Sequence, residues 1–267
     1  MAAHSKGGIL MAVAKVRFFS QALGMCVTCN VLLPQRKDVA LNRPVPVLWL
    51  LHGMHGSHSA WLMRSNIQRY AAPYGLAVVM PSGLNSFYTD MAHGMKFYSY
   101  IANELPETMS KFFNFSRKRE DNFIAGLSMG GCGSLMIGLS QPEKYAAIGC
   151  FSAGASNFLP ENLDQHYRDL AFGNAPIAGT YKDTFGNAQK ILAENLPQPR
   201  IYHSCGSEDG LLNWAHETRS FFDSLPGHPF DYQYVERPGI HDWNFWDQEI
   251  QQFLRFLNLP KADKEYI

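Results

Sequence analysis

One stretch of this chain restricts its architecture more than any other. A short strand-forming run, Asn122-Phe123-Ile124-Ala125, leads into Gly126-Leu127-Ser128-Met129-Gly130 and then into the small residues Gly131-Cys132-Gly133-Ser134-Leu135. Such a segment asks a strand to turn at once into a helix. A serine then stands at the apex, its hydroxyl exposed and a helix N-terminus behind it. A Cβ two residues before or after that serine would meet neighbouring backbone, so glycine is needed at both places. The pattern alone is a weak signal. Its setting and its partners elsewhere in the chain have to carry the chemistry.

The setting is an α/β chain. Residues 13–20 and 25–33 alternate at period two around the short link Gln21-Ala22-Leu23-Gly24, which predicts an antiparallel pair. Val47-Leu48-Trp49-Leu50-Leu51 is continuously apolar, as a strand buried on both faces requires. Helices over 61–70, 98–113, after Ser128, 184–195, 211–225 and 242–257 then alternate with strands at 76–80, 122–127, 146–151, 200–204 and 230–235. That rhythm predicts a mostly parallel sheet with helices on both faces. Residues 1–10 read as a cloning remnant or a disordered start, with Met11 a natural beginning, and 11–267 as one domain. The thirty-odd residues of 152–183 break the rhythm and read either as a lid or pocket loop or as padding at the sheet edge.

Composition excludes several functions. A chain of 267 residues that is 46% hydrophobic and 17% charged can bury a large core. Lys plus Arg equals Asp plus Glu at 23 each, so no basic excess points to nucleic acid. Arg117-Lys118-Arg119 is short and followed by Glu120-Asp121, and reads as a solvated loop. No apolar stretch approaches the ~20 residues of a membrane span, and no signal peptide is evident, so a cytoplasmic protein is expected. Five scattered cysteines fit a reducing compartment, and Cys26-x-x-Cys29 lies in a predicted strand that points the two to opposite faces. The spacing of His52, His55 and His58 is metal-like. However, they fall in a Gly/Ser loop with no carboxylate or cysteine to complete a shell, so neither metal nor cofactor is expected.

A serine hydroxyl needs a base to take its proton and an acid to orient that base. In the α/β-hydrolase plan these follow the serine in the order acid, histidine, each after a later strand. Strand 200–204 runs into Cys205-Gly206-Ser207-Glu208-Asp209-Gly210, and strand 230–235 into Glu236-Arg237-Pro238-Gly239-Ile240-His241-Asp242-Trp243. Carboxyl ends of parallel strands are where such sheets hold ligands. Ser128 is therefore the candidate nucleophile, His241 the base and Asp209 the acid. Glu208 is the rival for the acid, standing one residue less deep in the loop, whereas Asp242 is better placed to cap the last helix. Because the histidine acts in its neutral form, activity is expected to fall at acid pH. Two backbone N–H groups should hold the developing oxyanion: that of Met129, after the nucleophile, and that of Met54, in His52-Gly53-Met54-His55-Gly56. His52, Gly53, Trp61 and Tyr88 are candidate substrate contacts, with core packing the competing role for Trp61 and Tyr88.

Taken together, Leu50-Leu51-His52-Gly53-Met54-His55-Gly56, Trp61, Val78-Val79-Met80-Pro81, Tyr88-Thr89-Asp90, Gly126-Leu127-Ser128-Met129-Gly130-Gly131, Glu208-Asp209 and His241-Asp242-Trp243 resemble the tributyrin esterase family. That family lies in the esterase D-like branch of the α/β-hydrolases, beside acetylxylan and feruloyl esterases, S-formylglutathione hydrolases and mycolyltransferases. The likeness runs from about residue 13 to 257; 152–183 falls outside it. It implies an α/β-hydrolase fold, with nucleophile, acid and base on Ser128, Asp209 and His241 and oxyanion donors on Met54 and Met129. It further implies a serine carboxylesterase that cleaves short-chain acyl esters without cofactor, often as a homo-oligomer. The substrate expected is a small-molecule or oligosaccharide ester. Alternatives are a carbohydrate-directed acetyl or feruloyl esterase, an S-formylglutathione hydrolase, and a pseudo-hydrolase that only binds.

Overall fold

Strands buried on both faces must lie in the middle of a sheet, and the chain arranges them so. The computed structural model describes residues 11–35 and 43–261; the reading of residues 1–10 lies outside them. Eight strands form one sheet: β1 (Met11–Ser20), β2 (Met25–Pro34), β3 (Val47–Leu51), β4 (Ala77–Pro81), β5 (Asn122–Leu127), β6 (Ala147–Phe151), β7 (Arg200–Gly206) and β8 (Tyr232–Arg237). Their spatial order is β1-β2-β4-β3-β5-β6-β7-β8. β1 and β2 pair antiparallel, as their alternation predicts, and β2 pairs antiparallel with β4. Every other pair is parallel. Every residue of β3, β4 and β6 is buried, whereas the edge strand β1 alternates. This is the α/β-hydrolase fold expected from the sequence.

The helices are α1 (Ala60–Arg64), α2 (Ile67–Ala71), α3 (Leu105–Phe112), α4 (Met129–Ser140), α5 (Gln165–Ala171), α6 (Thr184–Ala193), α7 (Leu212–Ser224) and α8 (Trp243–Phe256). Period-two alternation along the strands divides the core. Trp49, Leu51, Ile124, Ile148 and Cys150 face Leu105 and Met109 of α3, Leu135 of α4, Ile191 of α6 and Trp214 of α7. Leu48, Leu50, Val78, Phe123 and Ala125 face Trp61 and Ile67 together with Phe245, Ile250 and Phe253 of α8. Each large apolar side chain so buried contributes about 2 kcal/mol. Among the described residues no helix is long and apolar enough to cross a membrane.

Two predicted helices are interrupted, each for a local reason. The one over 61–70 breaks at Ser65, whose hydroxyl donates to Trp61 O at 2.7 Å and accepts from the Ile67 N–H at 3.2 Å, competing with the backbone ladder. The one over 98–113 starts as a π-helical stretch, Ser99–Glu104, before α3. Pro106 has no N–H with which to continue the ladder, and the Ala102 carbonyl accepts from Lys144 Nζ at 3.1 Å instead. Within 152–183 the chain forms one short helix, α5, capped by the Asp164 carboxylate on the His166 N–H.

Candidate active site

The turn at Ser128 is as tight as its glycines imply. Ser128 has φ +52° and ψ −124°, and its N–H is held by Phe151 O at 2.8 Å. A Cβ on Gly126 would lie 2.4 Å from Gly130 backbone, and one on Gly130 would lie 2.6 Å from His52 O. Strand, elbow and the 52–56 loop can approach this closely only without those side chains. Left-handed φ in residues other than glycine also occurs at His55, Leu84, Phe87, Tyr88 and Ser152, a concentration of backbone strain in the loops around one serine.

The ends of β7 and β8 bring the partners in. A Cβ on Gly206 would sit 2.3 Å from Gly239 O, and the Ser207 and Glu208 N–H groups donate to Arg237 O and Gly239 O at 2.8 and 3.0 Å. Through this clasp His241 Nδ1 lies 3.0 Å from both carboxylate oxygens of Asp209, and Nε2 lies 3.0 Å from Ser128 Oγ. An ionised carboxylate only accepts, so Nδ1 carries the imidazole proton and Nε2 is left to accept from the serine. The three side chains singled out in the sequence are thus joined in one hydrogen-bonded line. The Asp209 side chain is fully buried, while Glu208 faces solvent. Burial alone would raise the Asp209 carboxyl. Its bonds to His241 and to the Leu211 N–H outweigh that and hold it below the usual carboxylate range. Asp242 caps α8 through the Phe245 N–H at 3.1 Å.

The oxyanion candidates flank the serine. Gly53 packs on the elbow so closely that a Cβ there would lie 2.6 Å from Leu127 Cδ1 and 3.3 Å from Ser128 Cβ. Neither the Met54 nor the Met129 N–H has an acceptor among the described residues. Met129 also opens α4, where the helix dipole favours negative charge. The Met129 side chain is buried, and its sulfur accepts from the Phe87 N–H at 3.4 Å.

Three of the four candidate substrate contacts prove to be supports beneath the site. His52 is 1% exposed; its Nδ1 meets Gly53 O at 2.6 Å and its Nε2 accepts from the Gly83 N–H at 2.9 Å. Tyr88 is wholly buried, with its hydroxyl on His52 O at 2.8 Å. Trp61 is 1% exposed, donates to Leu51 O at 3.0 Å and stacks edge-on with Trp243. These side chains pin the 52–56 loop from below and leave no surface for substrate. Gly53 alone of the four lies against the nucleophile. Among the described residues no group of three or more His, Cys, Asp or Glu could hold a metal ion. Two neighbours of Asp209 and His241 carry no signal in the sequence. Trp246 stacks edge-on against His241, centroids 4.9 Å apart, and donates its indole N–H to Ser152 Oγ at 3.0 Å. Trp246 looks like one more core aromatic in sequence, and Ser152 like the first residue of a loop.

The 152–183 segment lies over the same end of the sheet. The Tyr167 ring stands edge-on to His55 of the oxyanion loop, Phe172 packs on Phe87, and Tyr181 stacks on Tyr98 at 3.8 Å.

Neutral buried histidines make the fold sensitive to acid. Burial pushes His52 and His203 down to about 4, against ~6.5 in an unfolded chain. The unfolded chain therefore takes up protons first. The contribution of each is whole above pH ~6.5 and drains away as pH falls towards 4, by about 3 kcal/mol per histidine at pH 4. Urea unfolding should give a midpoint that drops steadily between pH 7 and pH 4.5, above the range where most carboxylates titrate. A midpoint constant over that window would show that these imidazoles are not buried neutral.

The chain matches the family model described as "Putative esterase" over residues 20–257. It is 31% identical to an acetyl esterase of Caldicellulosiruptor saccharolyticus, over 93% of this chain and 98% of that one. Among solved structures it is similar to the fluorophosphonate-binding serine hydrolase FphF of Staphylococcus aureus, with TM-score 0.84 and 30% identity over 93% of this chain and 98% of that one. An S-formylglutathione hydrolase (FrmB) of the same organism superposes with TM-score 0.80 at 32% identity, over 92% and 98% of the two chains.

Proposed function

The chain belongs to the esterase family and is a serine hydrolase of carboxylic esters, and from that premise we propose that it cleaves short-chain acyl esters with Ser128 as nucleophile. The observation that carries this reading is the bridge made by His241, 3.0 Å from Ser128 Oγ on one side and from Asp209 on the other. His241 Nε2 takes the Ser128 proton as Oγ attacks the ester carbonyl. The Met54 and Met129 N–H groups take the charge that develops on the carbonyl oxygen. The tetrahedral adduct collapses, and His241 returns the proton to the departing alcohol. Water then attacks the acyl-enzyme, losing a proton to the same nitrogen, and His241 returns that proton to Ser128 Oγ as the acid is released, which restores the resting state. Residues 152–183 act as the cap of the acyl site, since Tyr167 meets the oxyanion loop at His55. The likeness to an acetyl esterase supports a small acyl group.

A second reading is favoured by the likeness to an S-formylglutathione hydrolase: the acyl group is formyl and the leaving group a thiol. The triad serves both, because a thiolate leaves with even less help from His241. A panel of p-nitrophenyl esters from acetate to octanoate, run with S-formylglutathione, methyl ferulate and acetylated xylo-oligosaccharide, separates them. The expected result is a kcat/KM that peaks at acetate to butyrate and falls at least tenfold by octanoate. A peak at octanoate, or no turnover of any ester together with no labelling by a fluorophosphonate, would overturn the proposal.

A further inference from the structure

The loop after β4, residues 83–88, reaches both halves of the oxyanion site at once. Its Gly83 N–H donates to His52 Nε2 at 2.9 Å, its Asn85 side-chain oxygen accepts from the His55 N–H at 2.8 Å, and its Tyr88 hydroxyl donates to His52 O at 2.8 Å. All three bonds hold the 52–56 loop, which carries the Met54 N–H. From the same residues the Phe87 N–H reaches the sulfur of Met129, the residue that carries the other donor, at 3.4 Å. The backbone of this loop is strained. Leu84, Phe87 and Tyr88 have left-handed φ of +48°, +53° and +58°. For a bulky aromatic such as Tyr88 that conformation is an outlier, and it persists only where the surrounding contacts impose it.

Peptide geometry then sets the direction of the Met54 N–H. His52 Nε2 accepts from Gly83, so the imidazole proton sits on Nδ1, which donates to Gly53 O at 2.6 Å. The Gly53 carbonyl and the Met54 N–H belong to one planar trans peptide and point in opposite directions. A fixed Gly53 O therefore fixes the line along which the Met54 N–H points. Tyr88 holds the residue that does the fixing, and its own ring is wedged. A Cβ on Gly133 of α4 would lie 2.5 Å from Tyr88 Cδ2, and one on Gly83 would lie 2.4 Å from Tyr88 Cε1. One wholly buried side chain thus bears on the helix that opens with one donor and on the loop that carries the other.

We propose that Tyr88, with Asn85 beside it, is a positioning residue for ester hydrolysis: wedged against α4, it holds the 52–56 loop through its hydroxyl and so sets the distance and angle between the Met54 and Met129 N–H groups. This rests on the reading of those two groups as oxyanion donors, and of Ser128 as nucleophile, given above. The role explains why a strained, buried tyrosine stands where a phenylalanine would fill the same space.

The test separates positioning from packing. Tyr88→Phe keeps the ring and its contacts and removes only the bond to His52 O. The probe is a short-chain trifluoromethyl ketone. Ser128 Oγ adds to its carbonyl carbon, the serine proton passes to His241 Nε2, and the ketone oxygen becomes an oxyanion facing the two N–H groups. Its Ki therefore reports on their placement. Loss of a whole oxyanion donor costs about 10²- to 10³-fold, and a displaced donor keeps part of that. The variant is expected to lose about tenfold in kcat for p-nitrophenyl acetate, counted per site titrated with a fluorophosphonate, with KM within about twofold and Ki raised by about the same factor as kcat falls. A tyrosine that only fills the core would lower Tm and leave both kcat per titrated site and Ki where they were. That result would overturn the proposal, and so would a fall in kcat with an unmoved Ki. Should Tyr88→Phe not fold, Asn85→Ala decides on the same two readings, because the bond it removes lies at the surface. There kcat is expected to fall and Ki to rise together by about threefold, and no change in Ki overturns the proposal. The unaltered protein is the control. If the ketone does not inhibit it, the catalytic reading falls and this proposal with it; if it does, an unmoved Ki in the variant counts against the positioning role alone.

Discussion

Ser128→Ala is expected to lower kcat/KM for p-nitrophenyl acetate by about 10⁴- to 10⁶-fold, because the members of such a triad act as a unit. Fluorophosphonate labelling should vanish with it. The fold should not notice. The one hydrogen bond of the Ser128 hydroxyl is to His241, whereas the turn itself is held by the backbone bond to Phe151 O and by Gly126 and Gly130. Alanine keeps the Cβ that already tolerates φ +52°. A Tm within a degree or two is therefore expected beside the lost activity. The residual rate would be whatever the two oxyanion donors and substrate binding provide. A loss of less than about tenfold would remove Ser128 from the mechanism.

Asp209→Asn is the second large effect, and its cause is the direction of a proton. The carboxylate accepts from His241 Nδ1 and from the Leu211 N–H, both donors, at 3.0 and 2.8 Å. An amide has one acceptor atom for this set, and its NH2 must face a donor. The imidazole can answer by moving its proton to Nε2. That proton then points at Ser128 Oγ, and the nitrogen cannot take the serine's own. A fall in kcat of about 10⁴-fold at neutral pH is expected, with KM little changed. Glu208→Gln, one residue earlier in the same loop, should stay within twofold, since Glu208 is exposed. Steady-state kinetics on the two variants decide between the acids. Equal losses in both, or a larger one at Glu208, would displace Asp209.

Much of this site is legible along the chain because its parts are local. The strand, tight turn and helix around Ser128 are encoded within fifteen residues, and the acid and base each follow a strand whose apolar pattern announces it. Asp242 reads as a cap from its place before an apolar helix, and it is one. Other parts are not legible, for a physical reason. His52 belongs to the oxyanion loop, Trp61 opens the helix after it and Tyr88 follows the end of a strand, so each is a candidate substrate contact in sequence, with packing the competing role for Trp61 and Tyr88. Their side chains instead turn inward, to Gly83 N–H, Leu51 O and His52 O. Which way a side chain turns depends on what packs against it, and those partners lie up to 36 residues away.

The sequence by itself determined the element types and the order serine, acid, histidine, because hydrophobic periodicity and turn chemistry act over a few residues. Only the tertiary structure decided the strand order, the burial of Asp209 over Glu208, and the meeting of Ser152 with Trp246 across 94 residues. Those outcomes depend on which faces dock when α8 covers the sheet and the β7 and β8 loops clasp. Docking is a property of whole surfaces, and no short window of sequence carries it.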